Sequence, residues 1–177
     1  MASNACEAAK DFDRALNYVQ QMHALALGAS KEEWNAELEA KALGHDMILA
    51  RRRHDEPARM AAVASLTALL NAAEPGAGWV RGERHGLACS LTEKGQHDQA
   101  LLLWEANAAS GGQVNGWGWL LHAAALWQVS RDREHTLSLL REARAEDDRE
   151  MTPLFAGRPE FADVQNDPEF LHSIGRN

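Results

Sequence analysis

The second half of the chain contains two stretches that match each other at a constant offset of 36 residues. Leu91 aligns with Trp127 in the first helix predicted for each stretch. Trp104 aligns with Leu140 in the second helix. A repeat of this length that contains two helices is typical of an α-solenoid, in which each helical hairpin buries its apolar face against the next. Because two hairpins alone would be marginally stable, we expect the segments on either side to pack against them as flanking layers.

Apolar residues with helical spacing also run through the first half of the chain. One stripe covers residues 7–27, where positions such as Val19 recur at alternating spacings of three and four. Ser30 and Glu33 form a capping box that predicts the start of a second helix, and Pro57 suits the first turn of a third. No segment shows the alternation that is typical of a strand. The sequence therefore predicts an all-α fold of antiparallel helical hairpins stacked as a short α-solenoid.

The clearest break in the pattern lies at residues 74–78, which read Glu-Pro-Gly-Ala-Gly. Residues 1–75 are predicted to form an N-terminal three-helix segment. Residues 79–177 are predicted to form two helical hairpins followed by a C-terminal capping segment. With 177 residues the chain is long enough to bury a core without a metal ion or a disulfide, so we expect one compact domain overall.

The repeated stretches carry a motif of small, aromatic and helix-breaking residues. In the first copy the motif is formed by Leu87, Ala88, Leu91, Gly95, Ala100, Trp104 and Gly112. Asn107 departs from it, because an alanine is usual there, and in the second copy Thr136 and Arg131 replace the central alanine and the corner glycine. Through these positions residues 84–174 resemble the tetratricopeptide repeat family, over about half of the chain. The resemblance implies a solenoid fold and a role in binding proteins or peptides.

Residues 159–171 resemble the terminal segment that often follows the last repeat of such arrays. Four apolar residues in this tail are predicted to cover the exposed face of the final hairpin: Phe161, Val164, Phe170 and Leu171. Pro168 is predicted to begin a last short helix. We therefore expect the tail to cap the array.

The resemblance also implies a concave groove, lined by the first helix of each hairpin, as the binding surface. The groove positions are His85, Cys89, Thr92 and Glu93 in the first copy and Leu121, Ala125 and Gln128 in the second. They lack the lysine and arginine set that holds a C-terminal carboxylate in the chaperone-binding members of the family, which argues against that use.

Two further features are candidates for contact with a partner. Trp117 and Trp119 lie beside glycines where one hairpin joins the next. They either pack in the helical core or serve as exposed aromatic anchors. The acidic stretch Glu146, Asp147 and Asp148 follows a predicted helix C-terminus. It is either a solvated corner or a docking site for a basic surface.

The chain carries 26 acidic and 18 basic side chains, which gives a formal charge of −8. This charge repels nucleic acid and anionic lipid membranes and favours a basic protein partner. Cys6 and Cys89 lack CxxC spacing, and no stretch has the length and apolarity of a signal peptide or a membrane span. We therefore expect a cytoplasmic protein with reduced thiols, and the alanine- and arginine-rich composition is compatible with a bacterial origin.

Catalytic and metal-binding alternatives have weaker support in the sequence. No HExxH pattern occurs, and neither a metal ion nor another cofactor is predicted. His45 lies beside Asp46 and could act as a base, and Cys89 lies one helical turn from His85, where an imidazole could activate a thiol. All of these residues are also compatible with ordinary packing. An all-α enzyme that uses His45, His85 or Cys89 is the least favoured alternative.

These observations together favour a non-enzymatic protein–protein interaction module. A short repeat array without a catalytic domain acts by occupying its partner. We therefore expect a dedicated inhibitor, of the immunity type, or a chaperone that binds one toxin or secreted effector protein. The alternative within the same class is a scaffold or adaptor subunit of a larger assembly, which would need larger exposed apolar patches.

Overall fold

The computed structural model describes residues 12–28, 35–74, 77–111, 115–146 and 151–175. Their helices are α1 (Phe12–Leu27), α2 (Ala36–Arg52), α3 (Glu56–Ala72), α4 (Gly78–Glu93), α5 (His97–Ala109), α6 (Gly116–Ser130), α7 (Arg133–Glu146), α8 (Met151–Ala156) and α9 (Pro168–Ser173), with a 3₁₀ turn at Pro159–Phe161. Within these ranges no strand occurs and consecutive long helices pack in adjacent pairs, so the predicted all-α fold of helical hairpins is confirmed. None of these helices is long and apolar enough to cross a membrane.

The chain divides into two compact units, Met1–Glu83 and Arg84–Asn177. The expectation of one compact domain overall stays a prediction. The break predicted at residues 74–78 lies in the connection between α3 and α4, whereas the division lies inside α4, which runs continuously from Gly78 to Glu93. We call Met1–Glu83 the N-terminal unit and Arg84–Asn177 the C-terminal unit.

A side-chain cap sets the start of α2 in the N-terminal unit. The Asn35 side chain accepts a hydrogen bond from the Leu38 N–H (3.0 Å), and α2 begins at Ala36. The Asn35 N–H donates to the carbonyl oxygen of Ala26 (2.8 Å), which holds the end of α1 beside the start of α2. The capping box predicted from Ser30 and Glu33 lies outside the described residues.

A tight corner joins α2 to α3. His54 adopts a left-handed conformation there, with φ of +57°, and the Asp55 side chain accepts a hydrogen bond from the Ala58 N–H (3.0 Å). Pro57 occupies the first turn of α3, as predicted. Both α1 and α3 pack against α2, so α2 is the middle helix of this unit.

The core of the N-terminal unit includes a cluster at the interface of α1 and α2. Ala15 and Val19 of α1 are buried together with Ala42 and Leu49 of α2. Val19 belongs to the apolar stripe predicted for residues 7–27, of which residues 7–11 lie outside the described part of the chain. Burying a side chain of the size of Val19 or Leu49 contributes on the order of 2 kcal/mol, so the interface is a main source of stability for the unit.

The C-terminal unit is built around α6. This helix packs against α5 and α7, and every residue from Leu120 to Trp127 is buried. Trp104 of α5 is also buried, and its Nε1–H donates a hydrogen bond to Thr92 Oγ1 of α4 (3.2 Å). That bond ties α4 to α5 in the first predicted hairpin, while α6 and α7 form the second.

The C-terminal tail packs its apolar side chains into the same unit. Phe155 stacks on Phe161 with ring centroids 4.7 Å apart, and Trp127 of α6 meets the Phe170 ring at 5.2 Å. Four tail residues are predicted to cover the face of the final hairpin. Three of them are buried (Phe161, Val164 and Phe170) and Leu171 is half-buried. The helix α9 begins at Pro168, as predicted.

Polar contacts fasten this tail to the corner between α6 and α7. The Trp127 Nε1–H donates to Asp163 Oδ1 (3.1 Å). The Arg133 guanidinium donates to Asp167 Oδ1 (2.8 Å) and to Glu169 Oε2 (2.8 Å). Exposed ion pairs contribute little stability individually, so the main effect of these contacts is to fix the position of the tail.

Candidate functional site

Five aromatic side chains of the C-terminal unit form what we call the His–Trp cluster: His85, Trp104, Trp119, His122 and His135. The His122 imidazole stacks on both indoles, with ring centroids 5.7 Å from Trp104 and 6.3 Å from Trp119. His85 meets Trp104 edge-on at 5.2 Å, and His135 meets His122 edge-on at 6.3 Å. Helices α4, α5, α6 and α7 all contribute, so the cluster exists only when both hairpins are packed.

His122 is the buried centre of this cluster. It is 3% exposed, and within the described ranges neither ring nitrogen has a hydrogen-bond partner. Burial lowers the pKa of His122 to about 4, and the charge of nearby His135 acts in the same direction. The imidazole is therefore uncharged at neutral pH and packs as a flat aromatic side chain.

Asn107 of α5 is a second buried polar side chain in this unit. It is fully buried, and neither its amide oxygen nor its amide nitrogen has a hydrogen-bond partner among the described residues. Leaving such a group unsatisfied costs about 1–3 kcal/mol. Asn107 is also the position at which the first copy departs from the alanine of the repeat motif.

Cys89 and His85 lie side by side on α4, as their spacing predicts. The Cys89 Sγ is 3.7 Å from His85 Nε2. Burial raises the pKa of the Cys89 thiol to about 12, with a further contribution from the charge of Glu93, and burial lowers the pKa of His85. Both shifts favour the uncharged pair, whereas a nucleophilic cysteine needs the thiolate.

Three of the predicted groove positions do not face solvent. Thr92, Leu121 and Ala125 are fully buried. The Thr92 hydroxyl donates to the carbonyl oxygen of Ala88 (2.9 Å) and accepts from the Trp104 indole, and the two other residues lie on the buried stretch of α6. Their placement in an open groove is therefore wrong, because these side chains form the core of the C-terminal unit.

The other partner-binding candidates on α6 are occupied by the chain's own tail or by the cluster. Gln128 Nε2 donates to the carbonyl oxygen of Glu160 (2.6 Å). The Arg158 guanidinium lies 5.8 Å from the centre of the Trp117 ring, while Trp119 stacks on His122. Both tryptophans are half-buried, which is intermediate between the core and the exposed-anchor alternatives.

The acidic candidates lie at helix ends. Glu93, in the last turn of α4, is exposed, and Glu146, at the end of α7, is exposed as well. Asp147 and Asp148 lie outside the described residues. The role of Glu93 as a groove position and that of Glu146 in docking a basic surface stay predictions.

An open apolar cavity of about 370 Å³ lies on α2, between α1 and α3 of the N-terminal unit. We call it the α2 trough. Its walls are mainly aliphatic and include Leu16, Leu43, Leu49, Ala50, Ala58 and Ala61. The side chains of Asp46, Arg53 and Asp55 also line it, so two carboxylates and one guanidinium accompany the apolar walls. This surface could not be derived from the sequence, because its residues are distributed over three helices and the corner between α2 and α3.

Asp46, which lines the trough, also belongs to a charged group that we call the His23 cluster: His23, Glu39 and Asp46. His23 of α1 lies between two carboxylates of α2, with Nε2 2.7 Å from Asp46 Oδ2 and Nδ1 3.0 Å from Glu39 Oε2. Burial opposes the imidazolium charge, but the hydrogen bonds to Asp46 and Glu39 outweigh it and raise the pKa of His23. Asp46 thus pairs with His23, and a role of the neighbouring His45 as a base stays a prediction.

A weak signal for the His23 cluster is present in the sequence. Glu39 and Asp46 are seven residues apart and therefore share one face of α2. His23 lies beside the apolar stripe of α1, next to Met22. Only the packing of α1 on α2 shows that these faces meet, so the cluster could not be derived from spacing alone.

No group of three or more histidine, cysteine, aspartate or glutamate side chains in the described part of the chain could hold a metal ion. No protein-family model matches the chain, and neither a curated protein nor a solved structure shows significant similarity to it. The resemblance to tetratricopeptide repeats therefore stays a prediction.

Proposed function

We propose that this chain is a non-catalytic protein-binding module that acts by occupying one protein partner, as a dedicated inhibitor or chaperone of a toxin or secreted effector. The observation that carries the proposal is the α2 trough, an open apolar cavity lined by the carboxylates of Asp46 and Asp55. An exposed apolar groove with a few polar groups is a common form of binding site. The formal charge of −8 favours a basic partner.

The electrostatics of Cys89 and of His122 in the His–Trp cluster support binding over catalysis. The Cys89 thiol, with its pKa raised to about 12, and the His122 imidazole, with its pKa lowered to about 4, are both uncharged near neutral pH. A thiol nucleophile needs a lowered pKa, and a general base works best with a pKa near the working pH. An enzyme that uses His85 or Cys89 therefore has less support than a binding protein.

Affinity capture from a lysate of the source cells tests the proposal. The tagged chain is compared with Ala61→Arg and Ala64→Arg, which add the same charge to exposed positions of α3, although only Ala61 lines the trough. We expect wild type and Ala64→Arg to retain one stoichiometric protein that higher salt loosens, and Ala61→Arg to lose it. Capture of no stoichiometric protein at low or physiological salt would contradict the proposal.

A scaffold subunit of a larger assembly is a second candidate. Tyr18, Leu25 and Leu27 of α1 are 42%, 70% and 61% exposed, and apolar side chains at a surface often mark an interface. Size-exclusion chromatography of the lysate separates the two candidates. Elution of all the protein in one large complex that resists salt would favour the scaffold, because apolar contacts are insensitive to screening.

A further inference from the structure

Resting on the proposed function, we infer that the α2 trough holds one amphipathic α-helix of a protein partner. The apolar face of that helix packs on the aliphatic walls, and a lysine or arginine at its edge lies beside Asp55 and Asp46. The inference names the kind of partner element that this surface fits.

The arrangement of the three helices leaves room for a fourth. Both α1 and α3 pack on α2, and the trough is lined by residues of all three helices, with Leu16 from α1. A helix laid in the trough would contact all three and would complete a four-helix arrangement. Ala50, Ala58 and Ala61 carry only methyl groups, so the incoming axis can reach the usual separation of roughly 8–10 Å.

A helix fits these walls better than an extended segment does. The walls are formed by α1, α2 and α3, whose backbone N–H and C=O groups are used in their own helical hydrogen bonds. An extended peptide on such walls would find few backbone partners, and burying its unpaired groups would be unfavourable. A helix satisfies its own backbone and brings only side chains to the groove.

The size of the cavity limits how much of the helix is buried. Its volume of about 370 Å³ is near the lower end of the roughly 300–1,000 Å³ usual for binding pockets. It therefore accepts a few large apolar anchors, spaced three or four residues apart, against Leu16, Leu43 and Leu49. The rest of the helix stays in contact with solvent.

The charge of the trough selects the sign of the partner's polar edge. Among the described residues that line it, Asp46 and Asp55 carry negative charge and Arg53 carries positive charge, and the whole chain has a net charge of −8. A lysine or arginine on the incoming helix would be attracted, whereas a glutamate would be repelled. Asp46 is paired with His23, and the Asp55 side chain accepts the Ala58 N–H, so an incoming cation would share each carboxylate with a group of the chain.

Three fluorescein-labelled peptides of about 18 residues test the inference with the full chain. The first has leucine at helical spacing and lysine elsewhere, the second replaces lysine by glutamate, and the third places a proline in the middle of the first. Fluorescence anisotropy is expected to give the tightest binding for the lysine peptide, with the other two weaker by about tenfold or more.

Matched variants show whether the peptide uses the trough. Ala61→Arg and Ser65→Arg place a long cation in it, and Ala64→Arg places the same cation outside it. We expect the first two to weaken lysine-peptide binding by about tenfold and the third to leave it nearly unchanged. Equal circular dichroism and equal thermal midpoints for these variants show that folding is intact.

A second matched pair tests the charge. Asp55 and Asp132 both accept backbone hydrogen bonds at a helix start, from Ala58 and His135 respectively, and asparagine caps almost as well as aspartate. Asp55→Asn is expected to weaken binding of the lysine peptide about threefold or more, and Asp132→Asn is expected to leave that affinity unchanged. Equal affinities for the lysine and glutamate peptides would overturn the charge assignment.

Other occupants give different results. If removal of residues 1–11 is needed before the lysine peptide binds, the trough is filled by the chain's own N-terminal segment and the inference is wrong. If analytical ultracentrifugation shows a dimer that Ala61→Arg dissociates, the occupant is a second copy of the chain. Lysate capture that survives Ala61→Arg and Ser65→Arg would leave the proposed binding function intact but would overturn the trough as its site.

Discussion

Gly95 and Arg131 stand 36 residues apart and share a left-handed backbone conformation, with φ of +74° and +57°. Each residue closes the first helix of its hairpin, Gly95 after α4 and Arg131 as the C-cap of α6. The offset found in the sequence is therefore matched by backbone geometry at the corner. Glycine adopts this conformation without strain, whereas a residue with a Cβ is strained by roughly 1–2 kcal/mol.

This strain gives the first prediction. Arg131→Ala and Arg131→Gly both remove the ion pair with Asp163 and the contact with the Trp127 ring, but only the glycine relieves the backbone. We expect Arg131→Gly to have a free energy of unfolding about 1 kcal/mol above that of Arg131→Ala. Urea denaturation measures the difference, and equal values would show that the corner is relaxed with any residue.

A second prediction concerns acid stability. The unfolded chain protonates His122 near its ordinary pKa of 6.5, whereas the folded protein protonates it only near 4. The contribution of uncharged His122 to the free energy of unfolding is therefore fully present above about pH 6.5 and is lost as the pH falls toward 4, by about 3 kcal/mol at most. His122→Phe keeps an aromatic ring and should remove most of this acid-dependent loss. The exposed His172→Gln serves as the control and should retain it.

His23 should show the opposite dependence. Its pKa is raised in the folded protein, so its contribution is present below about pH 6.5 and is lost as the pH rises through the folded value. We expect His23→Gln to destabilise the chain by on the order of 1 kcal/mol near pH 6 and by clearly less near pH 8.5. Denaturation at both pH values measures it, and an equal loss at both would contradict the charged cluster.

Asn107 allows a test of the repeat motif by stability. Replacing it by the alanine that the motif prefers removes two buried polar groups without partners among the described residues. We expect Asn107→Ala to raise the free energy of unfolding by about 1 kcal/mol, since the small cavity left behind offsets part of the gain. A loss of stability would instead indicate that the amide is satisfied by water or by a ligand.

The reactivity of Cys89 separates the binding and enzyme alternatives. With the thiol pKa raised to about 12, the thiolate fraction near pH 8 is small, and alkylation should be over about a hundredfold slower than for a free cysteine. Iodoacetamide labelling of a Cys6→Ser variant, followed by mass spectrometry, gives the rate for Cys89 alone. Labelling as fast as free cysteine would reopen a catalytic role for Cys89 with His85.

The helical class could be predicted because it depends on local information. Apolar spacing, the glycines and Pro57 identify helices and their ends without knowledge of their neighbours. The burial of Phe161 and Phe170 was also predictable, because large aromatic side chains rarely remain exposed. These features need only the residues of one segment.

The details of the candidate sites depend on contacts between segments, and there the sequence was less informative. The positions of the repeat motif predict that Thr92 and Leu121 line an open groove. Thr92 is buried against Trp104 of α5, and Leu121 is buried on α6, which packs against both α5 and α7; the motif alone does not reveal these contacts. The His23 cluster and the α2 trough need the packing of α1 and α3 on α2, which spacing within one helix does not specify.

The docking of the tail onto α6 and α7 also affects the order of events during synthesis. Trp127 reaches its final contacts only with Asp163 and Phe170 in place, so the C-terminal unit cannot finish packing until the ribosome has made those residues. The three helices around the α2 trough are made much earlier, and α1 and α3 both contact α2 within residues 12–72. A nascent chain could therefore present the trough before its C-terminal unit is complete.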